Sequence, residues 1–191
     1  MRTFTEFKAF TATPQSGNNR LFNVLKAYSL YDTELGYTQG LNFIAAMILL
    51  QVDDESVAFL IFIKLLQKNG WRRFYTSETP KLFEMSSLIK KFLKKQAPKI
   101  LKKFKKMKIL LEPLIASAFI TLFSNTIDVP NATKVMERFM LIGERYIVDT
   151  ICLVLLNSQA EIRAQTDEFM LQKLLGRTMY QTALEKGTFH I

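Results

Sequence analysis

The chain has 191 residues, the size of one domain or of one large and one very small domain. Its 49% hydrophobic and 23% charged residues, with 7 Gly and 5 Pro, argue against disorder and against a loop-rich all-β fold. A single Cys excludes an intramolecular disulfide framework or a Cys-based zinc site, and a single His, His190, argues against a His-rich metal site or a Ser-His-Asp triad.

Helical periodicity runs through almost all of the chain and no convincing strand stands out. The opening, MRTFTEFKAFTATPQS, contains no apolar run of signal-peptide length. Residues 20–31 place Leu21, Val24, Leu25 and Tyr28 on one face. Residues 41–51 are apolar nearly all round, the pattern of a central buried helix. Asp53 or Asp54 can cap the next helix, which should run to about residue 68 and stop before Asn69-Gly70. A loop is expected over 71–79, ending at Pro80. It would carry the lone Trp71, either as a partner anchor or as core. Residues 112–124 are expected to form another apolar helix. Asp128-Val129-Pro130 is a helix start, and Gly143 is a stop. Residues 145–157 are strongly apolar and include Cys152, read as a buried residue and not a nucleophile. One helix is expected over 160–175, ending at Gly176, and a last short one to about residue 185. The apolar runs at 41–50 and 57–63 are too short to span a bilayer, so the chain reads as a soluble intracellular protein. These features predict one all-α domain over residues 1–191, its neighbouring helices joined by short connections.

The net charge of +9 is not spread evenly. Residues 81–108 hold 11 lysines, no arginine and one acid, Glu84, so this stretch carries +10 and the remainder −1. Met85, Leu88, Ile89, Phe92 and Leu93 recur at helical spacing. Pro98 interrupts, and Ile100, Leu101, Phe104 and Met107 resume the pattern. Two amphipathic helices with lysine-coated outer faces are expected. That coat can be a solvated face or can draw the protein to an anionic membrane, with Lys94, Lys95, Lys102 and Lys103 as its candidate residues. Without Arg, Tyr or Trp in the segment, and without a nucleic-acid-binding motif elsewhere, no nucleic-acid partner is expected.

The most informative stretch is AYSLYDTELGYTQGLNF, residues 27–43. A polar cluster here separates two apolar helices. Gly36 permits a sharp turn, Gly40 permits close backbone approach, and Gln39 sits between them at the start of the buried helix. On residue chemistry alone, Gln39 could orient a water or a substrate amide, or serve the turn itself.

This stretch resembles the signature of the TBC domain of Rab GTPase-activating proteins, roughly AYSxYDxxxGYxQGMNF. Ala27, Tyr28, Ser29, Tyr31, Asp32, Gly36, Tyr37, Gln39, Gly40, Asn42 and Phe43 match it, and Leu41 replaces the common methionine. LIASAFITLF (114–123) resembles the later run that commonly ends WFLTLF, without its tryptophan. VPNATKVMERFMLIG (129–143) resembles LPxxxxxRIWDxFLxxG, with Met136-Glu137 in place of Trp-Asp. The resemblance implies an all-helical fold, repacked where those aromatics are replaced. It also implies two catalytic fingers inserted into a partner GTPase. The glutamine of YxQG corresponds to Gln39, supported by Tyr37, Gly40 and Asn42. The arginine of IxxDxxRT corresponds to Arg2, in Arg2-Thr3-Phe4. The Ile and Asp of that motif would fall before Met1, so a TBC domain incomplete at its N-terminus and lacking its first helices is expected.

A guanidinium delivered in trans stabilises charge on the transferring phosphoryl group, while a carboxamide orients the attacking water. The implied partner is a Rab-family small GTPase that carries the GTP and Mg²⁺. This chain has no GxxxxGK[ST] loop, and no cofactor or metal of its own is expected. The implied role is a cytoplasmic regulator of membrane traffic, peripheral on endomembranes. The alternatives are a catalytically silent TBC-fold binding module and a helical membrane-binding protein that works through its lysines.

Overall fold

Leu21, Val24, Leu25 and Tyr28 return every three or four residues in the first helix, α1 (Gly17–Tyr31), and all four are buried. The computed structural model describes residues 17–187 and Phe189. The described residues are helical or irregular, with no strand among them, as the periodicity predicts. Arg2 and His190 lie outside the described residues. The chain divides into two compact units, Met1–Glu78 and Thr79–Ile191.

In the first unit, α1 packs on α2 (Leu41–Leu49) and α3 (Glu55–Gln67), which also pack on each other. Eight of the nine α2 residues are buried, so this helix is the floor on which the preceding turn stands. Asp54 caps α3 by accepting hydrogen bonds from the backbone N–H groups of Ser56 and Val57. Arg20 donates to the carbonyls of Val52 and Asp53, tying α1 to the α2–α3 connection. The Tyr28 and Phe62 rings meet edge to face at 5.0 Å.

The expected loop at 71–79 is different in the structure. A 3-10 segment, Lys68–Phe74, follows α3, with Asn69 and Gly70 in left-handed conformations at its kink. Trp71 is 0% exposed, and its ring lies 4.6 Å from that of Phe74. It is core, which removes it as a surface anchor. Alternation at a three-residue pitch over so short a run leaves no 3.6 or 2.0 period to read.

In the second unit, α4 (Pro80–Gln96) and α5 (Pro98–Lys106) are the lysine-rich pair, divided at Pro98 as the sequence indicates. Met85, Ile89, Leu93, Ile100 and Phe104 face inward. α4 packs on α5, on α6 (Leu111–Ile120) and on α8 (Glu144–Asn157). α7 (Val129–Ile142) begins where Asp128 accepts from the Asn131 backbone N–H and ends at Gly143, φ 93°. Met136, where the resemblance would place a tryptophan, is buried on α7. Cys152 on α8 is buried, and desolvation pushes its thiol up to about 12, so it is no nucleophile.

Two expectations are corrected here. The apolar segment at 112–124 is helical only to Ile120; Leu122 and Phe123 then turn through left-handed backbone, φ 44° and 64°. The helix expected over 160–175 is broken. α9 (Gln159–Ala164) stops, Asp167 caps α10 (Glu168–Lys173), and a π-helical turn, Leu174–Thr178, carries Gly176 into α11 (Met179–Glu185). Gly176 therefore sits inside a helical turn and does not end one.

Candidate functional site

The site is a turn built on the buried helix α2. Tyr31 ends α1, and the chain bends through Asp32–Gly36 with Gly36 at φ 62°, where its N–H donates to the Asp32 carbonyl at 2.8 Å. It bends again at Gly40, the N-cap of α2, at φ 107° and ψ −32°. A side chain is rarely accommodated in that region, so glycine meets a backbone requirement here.

Gln39 lies between these bends and is exposed. Its side chain has no hydrogen bond to any described residue, so the carboxamide is free to meet a partner molecule. Its neighbours are held firmly. The Asn42 carboxamide oxygen accepts from the Gly40 backbone N–H at 3.1 Å and from the Tyr37 hydroxyl at 3.3 Å. Asn42 is on α2 and is itself buried. One acceptor on a rigid helix thus fixes the Gly40 backbone that follows Gln39 and the Tyr37 side chain that precedes it. The Tyr37 ring remains 55% exposed beside it, an aromatic contact surface with its polar end engaged.

Tyr37, Gln39, Gly40 and Asn42 are therefore brought together in one turn. Arg2 lies outside the described residues. Of the lysines singled out, Lys94, Lys95 and Lys102 are exposed. Lys103 is half-buried and donates to the backbone carbonyls of Arg163 and Gln165, so its charge is partly committed to the fold.

The residue that sequence reasoning missed is Arg72. From the 3-10 segment its guanidinium grips Asp32 with two hydrogen bonds, Nε–Oδ2 at 2.5 Å and Nη2–Oδ1 at 2.8 Å, and reaches Glu34 at 2.9 Å. The Tyr28 hydroxyl donates to the same carboxylate at 2.8 Å, and the Leu35 N–H at 3.2 Å. Asp32 thus gathers α1, the turn and the 3-10 segment. The Arg72 hydrogen bonds outweigh desolvation and lower its carboxyl to about 2. Desolvation, with Asp32 beside it, pushes the Tyr28 hydroxyl well above its usual value. The only sequence signal was an arginine next to a tryptophan, with no period to connect it to Asp32.

This arrangement can present one neutral hydrogen-bonding group, Gln39, on a preorganised backbone. It has no general base and no nucleophile at its centre.

The Rab-GTPase-TBC domain family matches residues 1–163, which includes the turn. The human ecotropic viral integration site 5 protein homolog is 32% identical over 90% of this chain and 21% of its own length. The Rab GTPase-activating protein eat-17 of Caenorhabditis elegans is 30% identical over 90% of this chain and 19% of its own. The chain thus spans about a fifth of the length of these relatives. The crystal structure of the Chlamydomonas flagellar RabGAP TBC domain has the same fold, with a TM-score of 0.76 and 17% identity over 100% of this chain and 64% of that one. The chain belongs to the Rab-GTPase-TBC domain family.

Proposed function

We propose that this chain is a GTPase-activating module that binds a Rab-family GTPase in its GTP-bound form and accelerates hydrolysis in trans. The observation that carries this reading is the exposed, unengaged Gln39 carboxamide on a turn clamped by Asn42. A group meant for the turn itself would be expected to bond within it. Relatives named as Rab GTPase-activating proteins support the same assignment.

In this mechanism Gln39 orients the water in line with the γ-phosphate of the partner's GTP. It needs no proton shift near neutral pH, because the task is placement. Arg2 supplies the guanidinium that stabilises the developing charge, a contribution of about 10³–10⁵ in rate for such fingers. Tyr37 packs against the partner and, with Asn42 and Gly40, holds the finger. GTP and Mg²⁺ belong to the GTPase. The exposed lysines Lys94, Lys95 and Lys102 hold the module at an anionic endomembrane surface, where its partner resides.

The test is single-turnover GTP hydrolysis across a panel of Rab proteins with this chain, its Gln39→Ala form and its Arg2→Ala form. Acceleration lost in both variants supports two fingers. Loss with Gln39→Ala alone assigns the work to one finger and removes Arg2. Binding without acceleration by the unaltered chain overturns the catalytic reading and leaves a silent binding module.

A further inference from the structure

Lys99, Lys102, Lys103 and Lys106 fall at i, i+3, i+4 and i+7 on α5, one stripe of that helix, while Ile100 and Phe104 are buried on the opposite side. Arg163 of α9, which packs on α5, faces the stripe. These five residues line an open, shallow recess of about 320 Å³, and every described residue lining it is basic. Lys103 anchors the recess through the Arg163 and Gln165 carbonyls, so its wall is part of the packed helix pair. The side chains of Lys99, Lys102, Lys106 and Arg163 are exposed and form no ion pair with any described residue. Like charges at i, i+3 and i+4 repel and destabilise their helix. Other lysines of the segment do have acidic partners: Lys81 pairs with Glu84 and Glu144, and Lys90 with Glu112. Among the lysines of the segment that have no acidic partner, Lys99, Lys102 and Lys106 are the ones that converge with Arg163 on one recess.

We propose that this recess binds the headgroup of a polyphosphorylated inositol lipid in a membrane. A phosphomonoester carries about −1.5 to −2 charges near pH 7. Three of them on one ring balance the five cations that converge here, and two balance most of them, whereas a headgroup of single charge brings one. Arg163 supplies a planar fork for one phosphate, and the lysines supply mobile donors for the others. The exposed Lys94, Lys95, Lys105 and Lys108 extend the positive field beyond the recess. A small soluble anion would not need that extension; a charged plane of lipid would. This inference refines the membrane reading above and does not depend on the catalytic fingers.

The experiment is vesicle co-sedimentation of the full chain at physiological salt. Phosphatidylcholine vesicles carry either phosphatidylserine or phosphatidylinositol bisphosphate at matched total charge. The unaltered chain is compared with Lys102→Gln/Lys106→Gln, with Arg163→Gln, and with Lys94→Gln/Lys95→Gln. The expected result is binding at least about tenfold tighter to the phosphoinositide vesicles, a preference lost in the recess pair and reduced in Arg163→Gln. The Lys94/Lys95 pair should weaken binding to both vesicles and keep the preference. Thermal melting by circular dichroism confirms that the variants fold, and Arg163→Gln stands alone if the lysine pair does not. Equal affinity for charge-matched vesicles overturns the recess and leaves diffuse membrane attraction in place. Absence of binding to any anionic vesicle overturns both. Binding of soluble inositol hexakisphosphate without capture by vesicles overturns the lipid source.

Discussion

Asn42 and Asp32 hold the candidate finger by different chemistry, and substitutions separate them. Asn42 acts as one acceptor for two donors, so Asn42→Ala frees both the Gly40 N–H and the Tyr37 hydroxyl. If Gln39 works by placement, Asn42→Ala should lower single-turnover GTP hydrolysis by about 10–100-fold, whereas Tyr37→Phe should cost less than about threefold. Equal rates for Asn42→Ala and the unaltered chain would remove the clamp from the mechanism. Asp32 acts through charge. Its carboxyl is held at about 2 against an ordinary 3.8, first by the Arg72 hydrogen bonds. The folded state therefore binds fewer protons than the unfolded state between those values. The stability this supplies is complete above about pH 4 and is lost as pH falls through about 2. Urea unfolding across that range should show the advantage of the unaltered chain over Asp32→Asn shrinking by about 2 kcal/mol as the acid limit is reached. The contiguous residues of the turn were legible in the sequence, because a motif of consecutive positions needs no tertiary information. Arg72 was not, because its partner lies 40 positions away and only the folded chain brings the two together.

At the scale of helices, what was legible tracks how local the stop and start signals are. Asp54, Asp128 and Gly143 act within one turn of the boundaries they set, and the structure uses all three. Asp54→Ala should therefore lower the unfolding free energy by about 1 kcal/mol, read from the urea midpoint at constant slope. The same size of loss is expected for Asp167→Ala, since Asp167 accepts from the Met170 N–H at 2.8 Å in the same manner. The break before Asp167 was nevertheless missed. The apolar period continues across it, and a long-range contact settles the matter. Lys103, about sixty residues earlier, takes the carbonyls of Arg163 and Gln165 that a continuing helix would need for its own ladder. A start signal inside a periodic run reads as an ordinary polar residue until something else ends the helix before it.

For the molecule as a whole, net charge says little about what each charge does. The segment 81–108 is uniform in composition, and its eleven lysines read as one coat. The structure sorts them. Lys81 is 3% exposed, between Glu84 at 2.9 Å and Glu144 at 2.7 Å, so it belongs to the interior of the second unit. Lys90 meets Glu112 at 2.5 Å; burial raises that carboxyl, but hydrogen bonds from Lys90 and Ser86 prevail and hold it below its usual value. Lys95 is exposed and lies on the solvent side of α4. Removing one partner of a buried pair strands the other charge, which costs about 3–5 kcal/mol, whereas an exposed lysine without such partners changes stability by less than about 0.5 kcal/mol. Both acids keep some contact with water, so Lys81→Ala should lower the unfolding free energy by less than that limit, about 2 kcal/mol, while Lys95→Ala leaves it unchanged, although the two remove the same formal charge. On the proposed membrane reading, Lys95→Ala should instead weaken vesicle binding. Equal stability losses for the two variants would mean that Glu144 is solvated well enough to stand alone, and that the segment is a single coat after all.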